Sequence, residues 1–249
     1  RHNLILIEDC CQAWGARYRG QPITMHGQMS CFSHQDSKHI ACGDGGLVTT
    51  SDPKLGPLLI KYGDKAVNRL HPADSSNVLA PNYRITELQA AFVAAQLTRL
   101  EEIASKRSQL GALLTAELAD IPMIQPQRVE AQDRCVHWGY MCRFVPEQAR
   151  CDRAQFVQAL AAEGAPFSAG YIPVPLYGLP MFQNHSFFAG HWPIKEAGLT
   201  TMDYRKVHLP VTEAILKTCM RFPLNEGMDE DYIRLITKAV RKVARHYAV

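Results

Sequence analysis

A chain of 249 residues, 47% of them hydrophobic, is long enough for one large domain or two modest ones with a real core. Lys and Arg total 27 against 24 Asp and Glu, a formal charge of +3, and this near balance argues against a nucleic-acid or acidic-membrane partner. No apolar run is long enough to span a bilayer. The opening RHNLILIEDC has too short an apolar core, and meets acids too soon, to be a signal peptide, so the cytoplasm is the expected compartment.

In chain order, LILIED reads as a buried parallel strand that delivers Asp9 to the crevice at its C-terminal end. GGLVTTSD reads as a strand leaving a glycine turn, and NRLHPADSSNVLAPNY as a long polar loop. TELQAAFVAAQLTRLEEIASKRSQLGALLTAEL reads as one long helix with Leu88, Phe92, Ala95, Leu100 and Ile103 at helical spacing, opened by a Thr86–Gln89 capping box. DIPMIQP breaks it near residue 122. VHWGYMCRFV then alternates like a half-exposed strand, DRAQFVQALAAEG is an amphipathic helix stopped at Gly164, and YIPVPLYGLPMF is a proline-rich loop. The last element, DEDYIRLITKAVRKVARHY, is a capped helix with Ile233, Ile236, Val240 and Val243 on one face. The expected organisation is an α/β lobe over residues 1–120 and an α+β lobe over 121–249.

Eight cysteines, at 10, 11, 31, 42, 135, 142, 151 and 219, form no C-x-x-C pair in a chain of this length, and read as free thiols in a reducing compartment. Cys31, His34, His39 and Cys42 present C-x2-H-x4-H-x2-C, which is chemically suited to zinc but matches no strong zinc spacing. Lys38, inside the same window, reads as a solvated charge when taken alone. Its company changes that reading: Asp9 at a strand end, Gln12 three residues on, Ser33 five residues before the lysine, and a GDGG turn after it.

These pieces resemble the DegT-type (DegT/DnrJ/StrS) sugar aminotransferases, a branch of the fold type I enzymes that use pyridoxal 5'-phosphate (PLP). The resemblance lies in LIEDCCQAWGARYRGQPI, GQMSCFSHQDSKHIACGDGGLVTT and PNYRITELQAAFVAAQLTRLEEIASKR, in the family's order, and covers residues 4–107. It continues through EGAPFSAGYIPVPLY and the terminal helix. It implies an α/β chain made of part of the large PLP-binding domain plus a small C-terminal α+β domain. By the same resemblance Lys38 is the Schiff-base lysine, and Asp9 pairs with the pyridine nitrogen. Gln12 meets the ring's phenolic oxygen or packs on it, and Ser33 binds the phosphate. Asn82, in the family's N-Y-R motif, reaches the phosphate of a neighbouring subunit in a homodimer with shared sites.

The chemistry agrees with those residue types, since a lysine amine supplies the covalent anchor and a carboxylate keeps the ring an electron sink. On residues alone, Asp9 also fits a strand-end carboxylate capping the next helix, and Asn82 a loop residue before a helix cap. The expected reaction is transfer of an amino group from glutamate or glutamine to a nucleotide-linked keto-sugar or a keto-cyclitol, with Tyr171 placed where the family often puts a substrate-facing residue. Lysine rather than histidine at position 38 favours transamination over sugar dehydration. GDGG replaces the family's usual G-E-G-G, and Asp44 is one methylene shorter. The family's segment before the Asp9 strand has no counterpart here, so a fragment or a natural truncation is expected. The alternatives are an incomplete relative with a structural or regulatory role, and the zinc module of Cys31, His34, His39 and Cys42.

Overall fold

The computed structural model describes residues 2–69, 71–75 and 78–249. It divides into two compact units: Arg1–Leu113 with Arg128–Trp138 and Leu224–Asp229, and Leu114–Gln127 with Gly139–Pro223 and Glu230–Val249.

The first unit begins with β1 (Ile7–Asp9), the ribbon β2 (Arg17–Tyr18) and β3 (Gln21–Pro22), then β4 (Met29–Ser33) and β5 (Gly46–Thr49). The ribbon turns through Arg19 and Gly20 at φ 50° and 76°, the paired positive values that a tight two-residue hairpin requires. The main sheet has the order β1-β4-β5: β1 runs parallel to β4 with Asp9 beside Cys31, and β5 antiparallel with Gly46 beside Ser33. Side chains alternate along β4, so Ser30 and Phe32 are buried. Phe32 joins Cys10, Trp14, Ile40, Val93 and Ile103 in one core. On the same face as Ser30, the Glu8 carboxylate accepts from its hydroxyl (3.2 Å) and from the Gly27 N–H (2.8 Å).

The strand expected in LILIED is shorter and more open than its apolar run suggests. Leu4 and Ile5, which precede β1, are 79% and 74% exposed, and among the described residues β1 pairs only with β4.

The helices α1 (Leu55–Gly63), α2 (Glu87–Leu97) and α3 (Leu100–Leu118) come next. Of the long polar stretch between α1 and α2, Leu70, Ser76 and Asn77 lie outside the described residues, and Pro72–Asp74 forms a single 3-10 turn. The expected single helix from Thr86 is therefore two. Thr98 returns its hydroxyl to the Ala95 carbonyl (2.8 Å) and the Arg99 N–H bonds Gln96 (3.0 Å), tightening the chain into a turn. The Thr86–Gln89 capping box forms. The inward face, however, is Val93, Leu97, Leu100 and Ile103, while Leu88 and Phe92 are 85% and 55% exposed.

The second unit carries β6 (Ile124–Pro126), β7 (Tyr140–Phe144), α4 (Arg153–Ala162), α5 (Pro180–Gln183), α6 (Pro193–Glu196), α7 (Pro210–Thr218), β8 (Cys219–Phe222) and α8 (Glu230–Tyr247). Its sheet is antiparallel in the order β6-β7-β8. Asp152 caps α4 with a reciprocal Gln155 bond, and Gly164 at φ 81° ends it. Ile233, Ile236, Val240 and Val243 of α8 are buried, as their spacing requires. The proline-rich loop contains the 3-10 turn Leu176–Gly178 and opens α5 with Pro180, whose missing N–H costs nothing at a helix start. Among the described residues no helix is long and apolar enough to cross a membrane.

Candidate active site

The parallel register of β1 and β4 sets Asp9, Cys31 and Ser33 on one face of the sheet at the strands' C-terminal ends. The Asp9 carboxylate accepts the Cys11 backbone N–H (3.1 Å). Its pKa is lowered first by the hydrogen bond from the Cys11 thiol, then by that backbone bond, and further by the Lys38 ammonium, whose field reaches it. The Cys11 thiol is itself pushed up to about 11 by burial and by Asp9, so it stays a protonated donor rather than a nucleophile. Gln12 is exposed in the adjoining turn, closed by the Ala13 N–H on the Cys10 carbonyl (3.0 Å).

The connection from β4 to β5 carries Lys38 on a tightly bonded loop. His34 N–H reaches Gly45 O (2.9 Å), Cys42 N–H reaches His34 O (2.9 Å), and Asp36 N–H reaches Gly43 O (3.1 Å). Gly43 and Gly45, at φ 91° and 132°, turn the chain back. Ser33 Oγ accepts from Gln35 N–H (3.2 Å), and the Trp14 indole N–H donates to Ser33 O (3.0 Å), holding the end of β4. Asp44 accepts the Gly45 N–H on its own carboxylate (2.8 Å). Lys38 is half-buried, with Nζ 4.6 Å from the centroid of the Trp138 ring.

The next residue, His39, is buried and donates from Nε2 to Val136 O (3.2 Å). Burial, and then the nearby Arg107 charge, push His39 down to about 4, so it is neutral at pH 7. The ring of His34 stacks on Trp14 at 5.2 Å and pairs its Nδ1 with Ile40 O (3.2 Å). Cys42 Sγ donates to Asp44 O (3.1 Å). Three of the four groups of the zinc pattern are thus directed at different carbonyls, and among the described residues no group of three or more His, Cys, Asp or Glu is placed to hold a metal.

Asn82 lies on a separate, exposed stretch. Its backbone bridges to Asp64, and its side-chain oxygen accepts from Arg84 N–H (3.3 Å) and Nε (3.2 Å), leaving the amide its N–H donors. Buried Asp64 anchors this stretch through Arg69 (2.6 Å) and Arg84 (3.2 Å). The structure therefore gathers Asp9, Ser33 and Lys38 and sets Gln12 in the adjoining turn, while the contacts of Asn82 are to Asp64 and Arg84. Cys11, Trp14 and Trp138 escaped the sequence reading. The doubled cysteine beside Asp9 was a visible signal for the first, whereas Trp138 sat inside a stretch whose alternation pointed only to a strand.

The model of the DegT/DnrJ/EryC1/StrS aminotransferase family matches residues 1–241. The chain belongs to that family. This DegT-type chain is 28% identical over its whole length to the L-glutamine:2-deoxy-scyllo-inosose aminotransferase of Streptomyces kanamyceticus, covering 60% of that protein. To the dTDP-3-amino-3,4,6-trideoxy-alpha-D-glucose transaminase of Streptomyces venezuelae it is 29% identical over 98% of its length, covering 58% of that relative. Among solved structures, DesV of S. venezuelae, determined with a ketimine intermediate, superposes with a TM-score of 0.79 at 27% identity, over 98% of this chain and 58% of DesV. The α/β architecture is thus that of fold type I, as the sequence implied. The chain spans about half to three fifths of the length of curated relatives such as these.

Proposed function

We propose that this DegT-type chain belongs to a PLP-dependent aminotransferase that moves an amino group from glutamate or glutamine to a keto-cyclitol or a nucleotide-linked keto-sugar. The observation that carries the reading is the grouping of an ionised Asp9, the Lys38 ammonium and the Ser33 hydroxyl at the C-terminal ends of the parallel pair β1–β4. Those groups suit PLP, which has a basic ring nitrogen, an aldehyde and a phosphate. When bound, PLP supplies an electron sink that stabilises negative charge on the substrate carbon.

In this reading Asp9 holds the proton on the ring nitrogen. Its two bonds from Cys11 and the Lys38 field keep it ionised for that task. The Lys38 amine is the covalent anchor and, once displaced by the donor, the base that carries the proton at the substrate carbon. Ser33 donates to the phosphate, and Gln12 lies at the ring oxygen. Asn82 offers its free N–H donors to the phosphate of a partner's site.

The homodimer this implies is supported by the exposed apolar run Leu79, Tyr83, Leu88 and Phe92 around Asn82, which a second copy would cover. The amino donor and the ring-shaped acceptor are supported by the names of the relatives, one acting with L-glutamine on a scyllo-inosose and one a deoxysugar transaminase. The cytoplasm is the compartment proposed, in keeping with small water-soluble substrates. The test is borohydride fixation of PLP in the full enzyme and then peptide mass spectrometry, together with glutamine-dependent amination of 2-deoxy-scyllo-inosose. Cofactor on Lys38, and loss of both fixation and turnover in Lys38→Ala, are expected. Cofactor fixed to another lysine overturns the assignment.

A further inference from the structure

Residues 132–138 cross from the ribbon to the lysine loop. Arg134 exchanges backbone hydrogen bonds with Arg17 (3.1 and 3.0 Å), and its guanidinium binds Glu101 (Nη2 to Oε2, 3.0 Å). Further along the same segment, Val136 O receives the buried His39 ring, and the Trp138 indole N–H donates to Ser37 O at 2.7 Å. The segment therefore grips the backbone on both sides of Lys38. It also lays an aromatic face 4.6 Å from the Lys38 ammonium.

We propose that Trp138 is the positioning residue of the Lys38 amine: its ring is the seat the ammonium takes whenever Lys38 is not covalently engaged. The role rests on Lys38 being the cofactor's anchor. The physical case is a competition between two attractors. The Trp138 ring face lies 4.6 Å from the ammonium, and the Asp9 carboxylate draws it more weakly from farther away. Once Asp9 is engaged by the ring nitrogen of the cofactor, the indole is the seat that remains. A lysine carries four rotatable bonds, and a released amine without a seat spends most of its time in unproductive rotamers. A cation–π contact biases that distribution by about 2- to 30-fold. That is enough to keep the amine local and weak enough to let it leave. The N–H bond to Ser37 makes the ring's own position independent of whether the amine is present.

Two variants separate this from plain packing. Trp138→Phe keeps a ring face and loses the N–H donor; Trp138→Leu loses both. In the cofactor-free full-length protein, reductive methylation of Lys38 is read by mass spectrometry against Lys54 and Lys65. Trp138→Leu should label Lys38 at least about 3-fold faster than wild type, and Trp138→Phe close to the wild-type rate. In the loaded enzyme, Trp138→Leu should lower kcat about 10-fold with the amino-donor KM unchanged and a larger isotope effect for the donor α-deuterium, and Trp138→Phe should restore most of the loss. Unchanged labelling and kinetics in Trp138→Leu would overturn the proposal. So would a Trp138→Phe enzyme as impaired as Trp138→Leu, since the N–H bond to Ser37 would then be the whole effect. If borohydride fixes PLP elsewhere, the reading of Lys38 fails on its own, while the cofactor-free labelling still reports the ring contact.

Discussion

Acidification from pH 7 to pH 5 should destabilise the first unit through two histidines that are folded neutral. His39 and His137 are 3% and 6% exposed, and both are pushed down to about 4, first by burial and then by the Arg107 charge. Arg107 cannot move away, because it donates to His137 O and Leu224 O (3.1 Å each) and to Glu226 (2.7 Å). His39 Nδ1 is buried without a hydrogen-bond partner, so a proton added there would sit unpaired beside a guanidinium. An unfolded histidine binds its proton below about 6.5. Between that value and about 4 the unfolded chain holds more protons, and stability falls as the pH falls. The loss at pH 5 relative to pH 7 is about 2 kcal/mol per histidine and about 4 kcal/mol together. That is a large part of an ordinary domain's stability of roughly 5–15 kcal/mol. Glu101, held at about 2 by Arg134 and Ser105, adds its own loss only at lower pH, outside this window. The assay is urea unfolding at pH 7, 6 and 5, monitored by tryptophan fluorescence. His39→Gln keeps an N–H donor for Val136 O and does not titrate, so it should lose about half the pH dependence. A wild-type stability that is flat from pH 7 to 5, or a His39→Gln slope equal to wild type, would refute the reasoning.

Asp9→Asn should retain cofactor but slow removal of the donor α-proton by about 10²-fold or more, measured in single-turnover half-reactions; near-normal rates remove Asp9 from the ring nitrogen. Gly111→Ala places a Cβ 2.3 Å from the His137 ring, so it should cost about 1–3 kcal/mol in urea unfolding, and a neutral result would mean the ring swings aside freely. Mixing full-length Lys38→Ala and Asn82→Asp subunits should restore part of the activity, because a shared-site dimer then holds one site with neither lesion. No recovery despite demonstrated exchange of subunits would place Asn82 in its own chain's site or outside the site.

Where the sequence was informative, one local pattern decided the element. The cap of α2 needs only Thr86 and Gln89, and α8 needs only its apolar stripe, so both were legible. Where neighbours decide, the pattern misled. Leu88 and Phe92 have the spacing of a core face, yet they are exposed and Val93 turns inward, because helical periodicity says that a face is apolar and not what covers it. LILI is an apolar run of the buried-strand type, but burial depends on what lies beside and over a strand, and among the described residues β1 has one strand neighbour. The break at Thr98 depends on a hydroxyl folding back onto its own helix, which competes with continuation too evenly for propensity to settle.

The two halves of the candidate site differ in the same way. Asp9 and Ser33 share a face because β1 and β4 are parallel and in a register with period two, so two short strands joined by the crossover through the β2–β3 ribbon bring carboxylate and hydroxyl together. Lys38 lies five residues beyond Ser33, in a loop closed by its own glycines. All of that is local enough to appear as motif spacing. The grip on the lysine comes from a distant part of the chain: Trp138 meets Ser37 across 101 residues, and Val136 meets His39 across 97. No periodicity encodes such a contact, and a tryptophan ahead of a strand looks like any other apolar residue. The residues proposed for the chemistry are therefore legible in sequence, while the residue proposed to set where the amine waits is visible only once the chain has folded back onto it.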